Sequence, residues 1–200
     1  MTDLLLATTN AGKQREFRRL LAWLPGRLLM PAEIGLDMEV AEPYFTYAEN
    51  ATAKADAYCR ASGVLTLADD SGLEVAALDW GPGVRTGRFG GPAVRDKVAY
   101  LLEQVGDTTL RDARMVCALA LAIPGDEPHI EPHIELFEGV MEGRVAGAPR
   151  GSAGFGYDPI FLLPSGITTA EMPEGEKDVI SHRGRAVAAA RPRLIELLAG

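Results

Sequence analysis

The sequence predicts an α/β chain, one that mixes strands with helices, and three observations carry that prediction. Asp3 to Ala7 is a short apolar run that breaks at Thr8-Thr9-Asn10 and gives way to Phe17, Leu20, Leu21 and Leu24 at helical spacing, which reads as strand, polar turn and helix. Val64 to Ala68 is a run of β-branched and aliphatic residues, the pattern of a buried strand. Met115 to Ile123 is continuously apolar and a second run begins at Ile134, so a long mixed or antiparallel pairing is expected there. The chain has 200 residues, 47% hydrophobic and 24% charged, enough for one substantial core or two closely packed lobes; one compact domain is expected.

In the first unit of this pattern, Asn10 can cap the helix and the Ala11-Gly12 pair lets backbone amides approach a ligand. Lys13 then places a positive charge in the first turn, where it opposes the helix dipole, so a bound anion explains it better than helix stability does. A P-loop does not. That motif needs glycine five residues before Gly12 and Ser or Thr after Lys13, and Ala7 and Gln14 stand there. Glu49 to about Ala61 reads as a helix with Asn50 and Lys54 on one face and Ala51, Ala55, Tyr58 and Cys59 near another.

The strand from Val64 is expected to end at Asp69-Asp70, with Ser71-Gly72 as a turn before the apolar pattern resumes at Leu73. Adjacent carboxylates repel and cost more when desolvated, so such a pair calls for a cation, a basic side chain or water; magnesium suits hard oxygen ligands. A solvated Asx-type turn is the other reading of these residues. Beyond it, Gly81-Pro82-Gly83 opens a loop carrying Arg85 and Arg88, which either meet phosphate or are solvated. A helix from Val94 to Val105 follows with Val98, Leu101, Leu102 and Val105 inward.

Pro124 to Pro132 is expected as a loop, and its tandem Pro-His-Ile-Glu, with His129 and His133, as a surface duplication. Gly151, Gly154 and Gly156 around Phe155, followed by Tyr157-Asp158-Pro159, permit either a flat ligand close to the backbone or a tight turn into a buried strand. Ser181-His182-Arg183 opens an Ala- and Leu-rich terminal helix, where amides, imidazole and guanidinium can converge on an oxygen-rich ligand or simply be solvated.

A net charge of −8 argues against a general nucleic-acid binder, which needs a basic face. Cys59 and Cys117 lack metal-ligand spacing and read as reduced core residues, in keeping with a cytoplasmic location. No leader pattern is evident and no apolar run approaches the ~20 residues that span a bilayer, so no membrane partner is expected.

The combination of blocks resembles the inosine triphosphate pyrophosphatase family. The matching stretches are Ala7 to Lys13 with Glu16-Phe17; Glu49-Asn50-Ala51 with Lys54-Ala55; Ala68 to Val75; Pro82-Gly83-Val84 with Arg88 and Gly91; Gly154 to Phe161; and Lys177 followed by Ser181 to Ala186. The resemblance implies hydrolysis of deaminated purine nucleoside triphosphates (ITP, dITP, XTP) to the monophosphate and pyrophosphate, with Mg2+ as cofactor. It also implies a long twisted mixed sheet with flanking helices, two lobes around a central cleft, and a homodimer. Carried over position by position, Thr8, Thr9, Asn10, Ala11, Gly12 and Lys13 would hold the triphosphate. Asp70 would be the catalytic acid residue and a metal ligand, Glu42 a second ligand, and Asp69 and Glu49 further carboxylates near the ion. Ser71 would touch substrate, Phe155, Gly156, Tyr157 and Asp158 would flank the base, and Lys177, His182 and Arg183 would complete the pocket. Two departures from the family pattern stand out: Glu42-Pro43-Tyr44 in place of Glu-Thr-Gly, and Thr86-Gly87-Arg88 where Ser-Ala-Arg is common.

Overall fold

The computed structural model describes residues 3–125 and 130–199, which form two compact units. The first comprises residues up to Asp70, Cys117–Gly139 and the segment from Arg183 onward; the second comprises Ser71–Val116 and Val140–His182.

In the first unit the strand β1 (Leu4–Leu6) pairs in parallel with β2 (Leu28–Leu29) on one side and with β3 (Leu65–Val75) on the other, in the register Leu4↔Leu65 and Leu6↔Leu67. Helix α1 (Ala11–Leu20) begins where the sequence places its cap: the Asn10 carboxamide oxygen accepts from the Lys13 amide at 3.1 Å. Helix α2 (Tyr47–Ser62) begins two residues before Glu49. Thr46 is its cap, accepting from the Glu49 amide at 3.2 Å and donating its hydroxyl to the Glu49 carboxylate at 2.7 Å. Gly63, at φ +66°, ends the helix in the left-handed conformation with its amide on the Cys59 carbonyl. Phe17, Leu4, Leu6, Leu65 and Leu67 close the core together with Ala186, Ala190 and Leu194 of α5 (His182–Leu198). Each such leucine contributes about 1.5–3 kcal/mol by leaving water.

In the second unit β4 (Gly81–Pro82) pairs antiparallel with the end of β3, and a 3-10 segment, Gly83–Arg88, follows. Helix α3 (Lys97–Val105) starts three residues later than expected, because Asp96 caps it; it buries Leu101 and Val105 and packs Val98 and Leu102 against the same core, the inward positions the periodicity predicts. That core gathers Leu73, Val75, Met141, Tyr157, Ile160 and Phe161. The chain then runs through β7 (Phe161–Leu162) and α4 (Glu174–Ile180). Strands β5 (Asp112–Ile123) and β6 (His133–Val145) complete a mixed seven-stranded sheet of order β2-β1-β3-β5-β6-β7, with β4 on β3.

One expectation needs correction. β3 does not stop at Asp69-Asp70; it runs unbroken through Asp69, Asp70, Ser71 and Gly72 to Val75, so the aspartates are mid-strand and neither a turn nor a solvated Asx motif forms. Both side chains are buried, and partners brought by distant segments hold them there. Cys59 and Cys117 are free and buried, as expected. His133 opens β6 and is exposed, whereas His129 lies outside the described residues. Among the described residues no helix is long and apolar enough to cross a membrane.

Candidate functional site

The turn between β1 and α1 leaves Thr9, Asn10 and Ala11 exposed at a helix N-terminus and buries Thr8. Thr8 is tied twice: its hydroxyl accepts from the Asn10 amide and its carbonyl from the Gln14 carboxamide at 2.8 Å. The exposed edge is a preorganised cradle for an anion. Lys13, whose position calls for an anion, has found one in the protein: its Nζ lies 2.9 Å from Asp69 Oδ2.

The pleat gives the adjacent aspartates different neighbours. Side chains alternate along a strand, and Leu65 and Leu67 point into the core shared with α1 and α5. Asp69 continues that face. Fully buried, it meets Lys13 and, at 3.4 Å, the Arg183 Nε, while Arg183 Nη1 reaches Glu16 at 2.8 Å. Burial alone would push Asp69 up; the charges of Lys13, Arg183 and Lys54 outweigh it and hold this carboxyl well below the ordinary range. On Arg183 burial pulls down, and the carboxylates of Glu16 and Asp69 outweigh it and raise the guanidinium above its ordinary value.

Asp70 faces α2. Its Oδ2 accepts from the Asn50 carboxamide at 3.0 Å, and Asn50 also accepts from the Tyr44 amide at 3.2 Å, which fixes its orientation. Here burial wins: Asp70 lies above its ordinary value, with Lys13, Lys54 and the Asn50 bond opposing the shift and the Glu42 carboxylate adding to it. Lys54, one helical turn after Asn50, donates to the Asp69 carbonyl at 3.0 Å and pairs with Glu42. Burial opposes its charge, yet Asp69, Glu42 and Asp70 together raise it.

A hard divalent cation fits this set. Glu42 and Asp70 are hard oxygen donors, and Lys54, paired with Glu42, supplies the positive charge beside them that a bound cation would share. Among the described residues no group of three or more His, Cys, Asp or Glu could hold a metal, so any ion there would complete its shell with water or phosphate, as magnesium does. Asp69 and Glu49, expected near the ion, are engaged elsewhere: Asp69 by Lys13 and Arg183, Glu49 by the Thr46 cap.

The remaining predicted residues belong to the second unit. Phe155 and Gly156 are at least partly accessible and Tyr157 and Asp158 are buried. Asp158 Oδ2 lies 2.6 Å from Lys177 Nζ and accepts from the Phe155 amide at 2.8 Å, and Oδ1 accepts from the Thr169 hydroxyl at 2.8 Å. Lys177 also lies over the Phe155 ring, 5.8 Å from its centre. The Tyr157 hydroxyl is buried with no hydrogen-bond partner among the described residues, and burial pushes it up to about 12. Ser71 follows Asp70 on β3 and is half-buried, and His182 is buried at the start of α5. Arg85 and Arg88 are exposed, whereas Thr86 between them accepts from the Leu73 amide at 2.9 Å and donates to Gly83 at 2.6 Å. Threonine here is a brace for the strand end.

Sequence reasoning assigned no site role to Glu16, Asn50, Lys54 or Thr169. Spacing held the signal for three of them. Glu16 lies three residues after Lys13, and Lys54 four after Asn50, each pair on one helical face. Thr169 carries no such mark.

Comparison with known proteins gives a consistent picture. The sequence matches the Ham1 family over residues 4–193. It is 47% identical to the dITP/XTP pyrophosphatase of Deinococcus deserti, the match covering 94% of this chain and 86% of that protein. It is 44% identical to the dITP/XTP pyrophosphatase of Symbiobacterium thermophilum, covering 98% and 96%. Among solved structures, the Ham1 protein of Staphylococcus aureus superimposes with a TM-score of 0.83 at 32% identity, and a HAM1 protein from Coxiella burnetii with 0.83 at 38%. Both matches cover 98% of this chain and all of the other.

Proposed function

Because this chain belongs to the Ham1 family, we propose that it hydrolyses deaminated purine nucleoside triphosphates, dITP, ITP and XTP, to the monophosphate and pyrophosphate, with magnesium as cofactor. The observation that carries the reading is the asymmetry of the adjacent carboxylates. Asp69 is committed to Lys13 and Arg183, whereas Asp70 is held by a neutral amide and sits above its ordinary value. One is built to hold charge in place and the other to handle a proton.

In this reading the N-terminus of α1 and Lys13 bind the triphosphate and stabilise the departing pyrophosphate, because charge that develops on leaving oxygens meets fixed donors. Asp70 is assigned to orient the attacking water and accept its proton. Glu42 and Asp70 would hold magnesium, which when bound supplies charge compensation to the phosphate oxygens. The base is assigned to the Phe155–Asp158 stretch with Lys177, His182 and Arg183. A donor there rewards the 6-oxo group of hypoxanthine and xanthine and leaves the amino group of adenine unmatched. The family resemblance is also the support for a homodimer acting on the cytoplasmic nucleotide pool.

The test is product analysis with inosine, xanthosine, adenosine and guanosine triphosphates, scoring pyrophosphate apart from orthophosphate, with and without magnesium. Pyrophosphate from the inosine and xanthosine substrates is expected. Orthophosphate as the released product, or equal turnover of adenosine triphosphate, contradicts the assignment.

A further inference from the structure

Asp158 belongs to the stretch assigned to the base, yet its carboxylate is already spent. It is 2% exposed, and both oxygens are engaged within the second unit. Oδ2 takes the Phe155 amide and the Lys177 ammonium, and Oδ1 takes the hydroxyl of Thr169, itself fully buried. The Thr169 hydroxyl also lies 3.2 Å from the Asp158 carbonyl, which ties the main chain at the same point. Gly154, at φ +75°, closes the turn over this carboxylate: a Cβ there would lie 2.0 Å from Asp158 Oδ2. No residue but glycine leaves room for the bond to the Phe155 amide. Lys177 is buried to 4% exposure and sits beside the Phe155 ring, so one carboxylate fixes both the backbone of the aromatic residue and the cation at its face.

We infer that Asp158 is a positioning residue that sets base recognition without touching the nucleotide, by clamping the Phe155 amide and the Lys177 ammonium on a carboxylate that Thr169 holds from behind. The inference rests on the functional reading above. Its physical content is that one buried carboxylate ties the Phe155 amide and the Lys177 ammonium together, so loosening it frees the backbone of the aromatic platform and the cation at its face at once. Phosphate contacts and water activation are assigned to other residues, so loosening the clamp weakens substrate binding while leaving the chemical step. A direct contact and a clamp also differ in reach. Thr169 is fully buried, and its replacement matters only if the clamp does.

The experiment uses the full chain with Asp158→Asn and Thr169→Val, each confirmed as folded by its thermal transition. Steady-state kinetics are measured on inosine and adenosine triphosphates, and amide hydrogen exchange at Phe155 without nucleotide. Expected for Asp158→Asn is a KM for inosine triphosphate raised roughly tenfold or more with kcat nearly unchanged, a smaller preference over adenosine triphosphate, and faster Phe155 exchange. Thr169→Val should show the same signature more weakly. Unchanged Phe155 exchange in Asp158→Asn overturns the clamp. Faster exchange with unchanged KM overturns its role in recognition, as does a fall in kcat at constant KM. A kinetic effect in Asp158→Asn with none in Thr169→Val makes Asp158 a direct contact and also overturns it. Absence of pyrophosphate release by the unmodified protein would instead remove the functional reading, while the exchange data would still judge the clamp.

Discussion

The two adjacent aspartates invite paired isosteric substitutions with opposite outcomes. Asp69→Asn removes the buried negative charge that faces Lys13 at 2.9 Å and Arg183 at 3.4 Å. Breaking one partner of a buried ion pair costs about 3–5 kcal/mol because the other charge is stranded. The structure places this site at the low end. Arg183 keeps Glu16 at 2.8 Å, and the Lys13 side chain, 15% exposed, can turn toward water. A loss of about 3 kcal/mol corresponds to a fall in Tm of about 6–12 °C for a chain of this size. The pH dependence has a definite sign. Asp69 is lower in the folded state than in the unfolded, so its contribution is complete above the ordinary carboxylate value of about 3.9 and is lost as pH falls toward the folded value. The Tm difference between Asp69→Asn and the unmodified protein should therefore hold from pH 7 to about 5 and narrow below about 4. Asp70→Asn should leave Tm unchanged or slightly raised, because burial already disfavours that carboxylate, while turnover falls on the order of 10²–10⁴-fold and much nucleotide binding persists. Thermal unfolding across pH together with pyrophosphate release reads both variants. A stable Asp69→Asn protein beside an unfolded Asp70→Asn protein would refute the division of roles.

Two further outcomes are expected. Glu42→Gln should raise the magnesium concentration needed for half-maximal turnover and weaken Mn2+ binding measured by titration calorimetry, and an unchanged metal requirement would remove Glu42 from the ligand set. Tyr157→Phe deletes a buried hydroxyl that has no protein partner among the described residues, so the nucleotide-free protein should be as stable as the original or more stable by about 1 kcal/mol in chemical denaturation; a clear loss would show that the hydroxyl has a structural partner.

The parts of the site that were legible in the sequence are those made locally. Asn10 caps the helix that begins one residue later, and Lys13 stands in its first turn; both follow from residue type and spacing. The inward positions of α3 were equally plain. The continuity of β3 was not. Asp, Ser and Gly are poor strand formers, and what keeps Asp69 and Asp70 extended comes from far away: Arg183 is 114 residues from Asp69, and Asn50 is 20 from Asp70. Local propensity cannot register partners at that distance. The clamp around Asp158 was hidden in the same way, since Thr169 is an ordinary threonine until the fold turns it toward a buried carboxylate. The sheet architecture itself came from likeness to a family and not from periodicity, which read strands and helices without their order in space.

The pleat of β3 turns strand register into an assignment of chemical roles. Leu4 against Leu65 and Leu6 against Leu67 settle which of two identical side chains points at α1 and which at α2. A slip by one residue against β1 would put Asp70 among the cations and Asp69 beside an amide, with no change in composition. The leucines of β1 therefore act at a distance on the proposed site: buried in the core, they decide by the row they pair with which aspartate faces Asn50 and is proposed as the catalytic one.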